Sequence, residues 1–239
     1  MCTQGGHSYA SFPFNGACSD RHPARHGDIN LELRTLGFDA PHNARVGNGV
    51  DGPTDGRAPR LHTLFAKSPG IPPVSRCAAY SRWDWSCNCN RPGDIDRRFS
   101  GGVSDCTYVE LVAEPCEQLV VPWTGYEIAA GGYTAMVIFA EDDQVVLKFT
   151  GEDNVVSGYT LHVMGIRTNP SLLARFNELG IRPWPRCSQL PFLKIGEPIG
   201  VVPRSGRVGI SLRDTGTMMD VANARHWWQG APGPRPPVS

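Results

Sequence analysis

The chain has no excess of charge of either sign: Lys+Arg and Asp+Glu are both 23 over 239 residues. A neutral chain creates no long-range field for nucleic acid or an anionic membrane, so no nucleic-acid partner is expected. The neighbouring Arg97 and Arg98 read as a solvated face. No apolar run approaches the roughly 18 residues that would cross a bilayer, so no membrane span is expected. No G-x-S-x-G segment is present, which leaves a serine hydrolase without its nucleophile elbow. No glycine-rich loop opens a helix, which leaves nucleotide binding without its phosphate cradle. The opening stretch MCTQGGHSYASFPFNG has neither the basic nor the apolar region of a signal peptide.

What the chain does contain is 27 glycines and 21 prolines, a composition of many turns and short elements. It also has eight cysteines: Cys2, Cys18, Cys77, Cys87, Cys89, Cys106, Cys116 and Cys187. Zinc sites normally show two closely spaced Cys or His pairs. Here the only tight pair is Cys87-Asn88-Cys89. The even count at uneven spacing instead predicts a disulfide framework, and with it an extracellular or cell-surface location. Export would then use a signal already trimmed, a start further upstream, or a non-standard route. Cys2 as a lipidated residue is a weaker reading.

Residues 1–105 read as a loop-rich, disulfide-stabilised region. RVGNGVDGPTDGRAPR at 45–60 is a dense turn signal, and LHTLFAKSP at 61–69 reads as one short amphipathic turn. The segment 80–94 sets Trp83 and Trp85 beside Cys87 and Cys89, an aromatic cluster for disulfides to hold. From 106 to 228 the character changes to short β-type runs between turns, at 107–113, 118–122, 133–140, 144–150, 158–165, 199–202 and 207–214. Glu141-Asp142-Asp143 is the polar turn of a hairpin. One helix is expected: Asn169 suits the N-cap, Pro170 the first turn and Gly180 the C-terminal cap. Leu172, Leu173, Phe176 and Leu179 fall on one face between them. The expected fold is mainly β, an antiparallel sheet or barrel-sandwich-like domain with one short helix. Residues 229–239 form a Pro-rich flexible tail.

Several segments carry the order of a known domain. CTYVELVAEPCEQLVVPWTG (106–125) is followed by YTLHV (159–163), LKIGEPIGVV (193–202) and RVGISLRDTGTMMD (207–220). In this order the chain resembles the lysostaphin/LytM-type zinc peptidases, over about half its length. The resemblance implies a β domain and peptidoglycan cross-bridge chemistry. It places His162 on the family's Y-x-H-L histidine, and Arg213, Asp214, Gly216 and Asp220 at the family's closing positions. The metal ligands are not kept. Cys106 stands at the first His, Glu110 at the Asp, and Arg207-Val208-Gly209 replaces the final H-x-H pair. Glycine cannot ligate, and arginine stays protonated and repels a dication. The resemblance therefore implies a non-catalytic relative without a cofactor, with His162 as the catalytic remnant.

Two alternatives follow from the same residues. A zinc-dependent hydrolase with a relocated site would use Cys106, Glu110 and His162, with a histidine from 7 to 26. Cys106 has a competing fate as a half-cystine, with Cys116 as the nearby partner. A self-assembling surface or filament subunit would pair its sheet edges. His22, His26 and Asp28 are close in sequence, but Pro23 and Gly27 work against a helix that would align them. Glu110, Glu114, Asp214 and Asp220 are carboxylates whose spacing in space would decide any glycosidase role. Among the six tryptophans, Trp83, Trp85, Trp123, Trp227 and Trp228 are the candidate binding side chains, since exposed indoles stack on sugars or anchor partners. Core plugging is the plainer role for them. The expected partner is a cell-wall glycan, a peptide or a surface protein.

Overall fold

The computed structural model describes residues 2–14, 35–36, 55–67, 70–84, 86, 89–95, 106–151, 157–179, 189–215 and 217–231. The strands, in chain order, are β1 (Ala10–Pro13), β2 (Thr35–Leu36), β3 (Val74–Asp84), β4 (Cys89–Ile95), β5 (Tyr108–Val112), β6 (Gln118–Val120) and β7 (Tyr133–Glu141). They continue with β8 (Gln144–Lys148), β9 (Tyr159–Met164), β10 (Arg167–Thr168), β11 (Gln189–Lys194), β12 (Pro198–Val201), β13 (Arg207–Asp214) and β14 (Thr217–Met218). Helix α1 spans Pro170–Leu179 and the short α2 spans Ala224–Trp227. The fold is mainly β and antiparallel, as expected. All seven β-type runs of the second half are strands.

An 11-stranded sheet runs in the order β1-β11-β7-β8-β9-β13-β5-β3-β2, with β4 on β3 and β14 on β13. A 3-stranded sheet runs β10-β12-β6. The hairpin at 141–144 forms with Glu141 opposite Gln144 and Asp142-Asp143 as its two-residue turn. Gly165 and Gly206 end β9 and precede β13 with φ of 66° and 67°, a left-handed turn geometry that glycine adopts without a steric penalty.

The large sheet joins the two halves of the sequence. β3 pairs with β5 through Cys77 opposite Val109, and β1 pairs with β11. The boundary expected at 106 is therefore not a break in the sheet. The first half looked irregular because Ser75, Arg76, Ser81 and Arg82 interrupt the alternation of β3. Its strand character comes from the neighbouring ladder, a tertiary cause.

Central strands are buried on both faces, so their side chains separate by parity rather than by exposure. On one face Val145, Leu147, Leu161, Val163, Ile210 and Leu212 form the apolar core. On the other, cross-strand partners bring together Lys148, Thr160 and Arg213 in one row. The next row holds Val146, His162 and Ser211. This second face is polar yet buried.

Helix α1 packs on β7 and β11 as an amphipathic surface helix. Asn169 caps it: its Oδ1 accepts from Ser171 N at 2.9 Å and Leu172 N at 3.4 Å. Leu172 and Phe176 are buried, and Leu173 and Leu179 half-buried. Gly180 lies outside the described residues.

Candidate functional site

Two disulfides are formed among the described residues, Cys2–Cys116 and Cys77–Cys106. Cys106 is thus a half-cystine, but its partner is Cys77 rather than Cys116. The nearer cysteine in sequence lies past the end of β5, whereas Cys77 is carried alongside Cys106 by the β3–β5 ladder. Cys18, Cys87 and Cys187 lie outside the described residues, as do Trp85, Trp184, His22, His26, Asp28, Arg97, Arg98, Gly216 and the tail from 232. The same holds for the side chains of Trp83 and Cys89.

The positions that would hold metal in the resembled peptidases have other partners here. The Cys106 thiol is consumed by its disulfide. Glu110 accepts a 2.6 Å bond from Ser75 Oγ and is paired with Arg207 Nη1. Burial pushes the Glu110 carboxyl up. The hydrogen bonds from Ser75 and Arg207, with the charges of Arg207 and Arg76, outweigh burial and hold it below its ordinary value. Gly209, opposite Glu110, is covered by the Tyr108 ring: a Cβ at 209 would lie 2.6 Å from Tyr108 Cε2 and Oη. Cys106, Glu110 and His162 are not brought together as a ligand set. Among the described residues no three His, Cys, Asp or Glu side chains gather to hold a metal ion. His7 takes another role, with Nε2 3.4 Å from Glu197 Oε1.

His162 is fully buried in the middle of the polar face. Neither ring nitrogen has a hydrogen-bond partner, nor does the Oγ of Ser211, its cross-strand neighbour. Burial, reinforced by the charge of Arg213, holds the imidazole well below its ordinary pKa, so it is neutral. A neutral, enclosed imidazole with no carboxylate to orient it is not arranged for proton transfer with a substrate in solvent.

The tryptophans separate by environment. Trp227 and Trp228 are 0% and 2% exposed. Their indole N–H groups donate to Asp220 O at 2.9 Å and Val221 O at 2.8 Å, and Tyr159 packs edge-on against Trp227. These two residues are core plugs, and their candidacy as exposed binding rings is corrected. The sequence hides this because their pockets are formed by strands far away in the chain. Trp123 is different. It is 38% exposed, and Tyr126, three residues on, is 54% exposed.

Trp123 is held at several points. Its N–H donates to Thr63 Oγ1 at 2.7 Å, its carbonyl accepts from Arg60 N at 2.8 Å, and the Arg60 guanidinium lies 4.1 Å from the ring centroid. Arg60 was not a sequence candidate. It lies in a segment distant along the chain and gives no local sign of this contact. Asp214 and Asp220 do not pair as catalytic carboxylates: Asp214 accepts from Thr215 Oγ1, and buried Asp220 accepts from Ala222 N. No helix among the described residues is long and apolar enough to cross a membrane. No protein-family model matches the chain, and neither the curated proteins nor the solved structures give a match.

Proposed function

We propose that the chain is a non-catalytic binding or structural module that works outside the cell, on or near its surface. The observation that carries this reading is the fate of the ligand positions. The first is locked as Cys77–Cys106, the second is an ion-paired Glu110, and the last is Gly209 under Tyr108. Each has been absorbed into structure, and restoring a metal would require removing a disulfide, an ion pair and a packed ring together.

Two disulfides support the exterior location, because reducing compartments do not keep such bonds. A sheet that extends through both halves of the sequence, tied by cross-links, makes a rigid scaffold on which loops present a binding surface. The ligand class that suits this reading is a cell-wall glycan or a surface protein.

The test uses the oxidised full-length protein. Zinc content is measured by elemental analysis, and peptidoglycan sacculi are incubated with the protein and then sedimented. The expected outcome is retention on sacculi with no released fragments. One equivalent of zinc together with released cross-bridge peptides would overturn the proposal in favour of a hydrolase.

A further inference from the structure

We infer, on the reading of the chain as a binding module, that Trp123 is a braced stacking platform for a pyranose ring of an exterior glycan. Trp123, Tyr126 and Ile195 are the exposed large hydrophobic side chains among the described residues. They come from two turns bonded to each other, with Gly196 N donating to Val121 O at 3.0 Å and Val121 N to Glu197 O at 2.9 Å. They therefore share one end of the molecule.

The ring is positioned before any ligand arrives. Arg60 covers one face of the indole at 4.1 Å. Arg60 is itself backed by the turn at Gly230, where an added Cβ would lie 3.7 Å from Nη1. With one face taken, the exposed part of the ring is its other face and its rim. Both backbone groups of Trp123 are bonded, to Thr63 and Arg60. A ligand stacking here immobilises little that is still free, which is how preorganised sites gain affinity.

The rim supplies hydrogen-bonding groups. Gly125 lies at the ring edge, with its Cβ position 3.3 Å from Trp123 Cη2, and its N–H donates to Gly56 O at 2.9 Å. Gly56 adjoins Asp55, whose exposed carboxylate is paired with Arg57 at 2.6 Å. A flat apolar ring beside a carboxylate and a guanidinium matches a sugar. Pyranoses present an apolar C–H face and a rim of hydroxyls that both donate and accept. A protein partner fits less well. Three large hydrophobic side chains do not furnish the roughly 800 Å² per partner of a stable interface.

The test uses an N-acetylglucosamine tetramer, as the repeating sugar of cell-wall glycans, and intact sacculi. Binding is read by saturation-transfer NMR and by tryptophan fluorescence of the oxidised full-length protein. Trp123→Ala is expected to weaken binding by about tenfold or more, Trp123→Phe by less, and Tyr126→Ala by about threefold, on the scale of lost stacking. Circular dichroism checks folding, and exposed Tyr126 serves as the second site if Trp123→Ala does not fold. Retention on sacculi that is unchanged in folded Trp123→Ala and in Tyr126→Ala overturns the platform and leaves the binding role standing. Absence of both retention and oligosaccharide binding for the wild-type protein overturns both. A concentration-dependent dimer abolished by Trp123→Ala overturns the glycan assignment in favour of a second copy of the chain.

Discussion

Gly209 and Tyr108 show how one residue converts a possible site into packing. The Cβ missing at 209 is the space that the Tyr108 ring fills. Gly209→Ala is therefore expected to destabilise the protein by about 1–3 kcal/mol, the usual range for overpacking, as read from urea midpoints at constant m. Combining it with Tyr108→Ala should cost less than the sum of the two single changes, because the clash is gone. His162 gives a second residue-scale expectation. Its folded-state pKa lies well below 6.5, so the unfolded chain binds the proton more readily. Stability is then flat above pH 6.5 and falls as pH drops from that value toward the folded pKa. The slope is at most about 1.4 kcal/mol per pH unit. His162→Leu should remove much of this acid sensitivity. Equal loss of stability between pH 7.5 and pH 5.5 in both proteins would contradict it.

At the scale of elements, caps and cross-links have separable effects. Asn169 bonds two of the free N–H groups at the start of α1, so Asn169→Ala is expected to cost about 1 kcal/mol in urea denaturation. The helix docks on β7 and β11 through Leu172 and Phe176, so a frayed cap weakens that contact without opening the central ladders. The disulfides span different lengths of chain, 114 residues for Cys2–Cys116 and 29 for Cys77–Cys106. In the chain-entropy view, losing the longer closure should cost about 5 kcal/mol and losing the shorter about 3.5 kcal/mol. Paired Cys→Ser variants compared by thermal unfolding test that order. The longer link ties the segment carrying β1 to the turn before β6, and β1 is an edge strand. Removing the longer link should therefore raise hydrogen exchange first at β1 and the facing side of β11.

For the molecule as a whole, acid and reductant act on the same sheet by different routes. Glu110 is held below its ordinary value by Ser75 and Arg207, so its contribution is present above pH 4.5 and is lost as pH falls. It adds to the His162 effect at lower pH, and acid unfolding should occur in a broad range rather than one sharp step. Reductant releases the links between β3 and β5 and between the N-terminal segment and the β6 turn. Both joints connect the first half of the sequence to the second.

Much of the second half was legible in the sequence, because its signals are local. The polar triplet Glu141-Asp142-Asp143 between apolar runs dictates a hairpin, and Asn169-Pro170 dictates a helix start, whatever surrounds them. The replacement of metal ligands by Arg207 and Gly209 is likewise readable from residue chemistry alone. What tertiary structure decided is everything that depends on partners remote in the chain. β3 becomes a strand because β5 lies beside it, Cys106 finds Cys77 and not Cys116, and Trp228 becomes core while Trp123 stays at the surface. Burial and pairing are properties of a residue's neighbours in space, and neighbours from distant segments leave no mark at the residue itself.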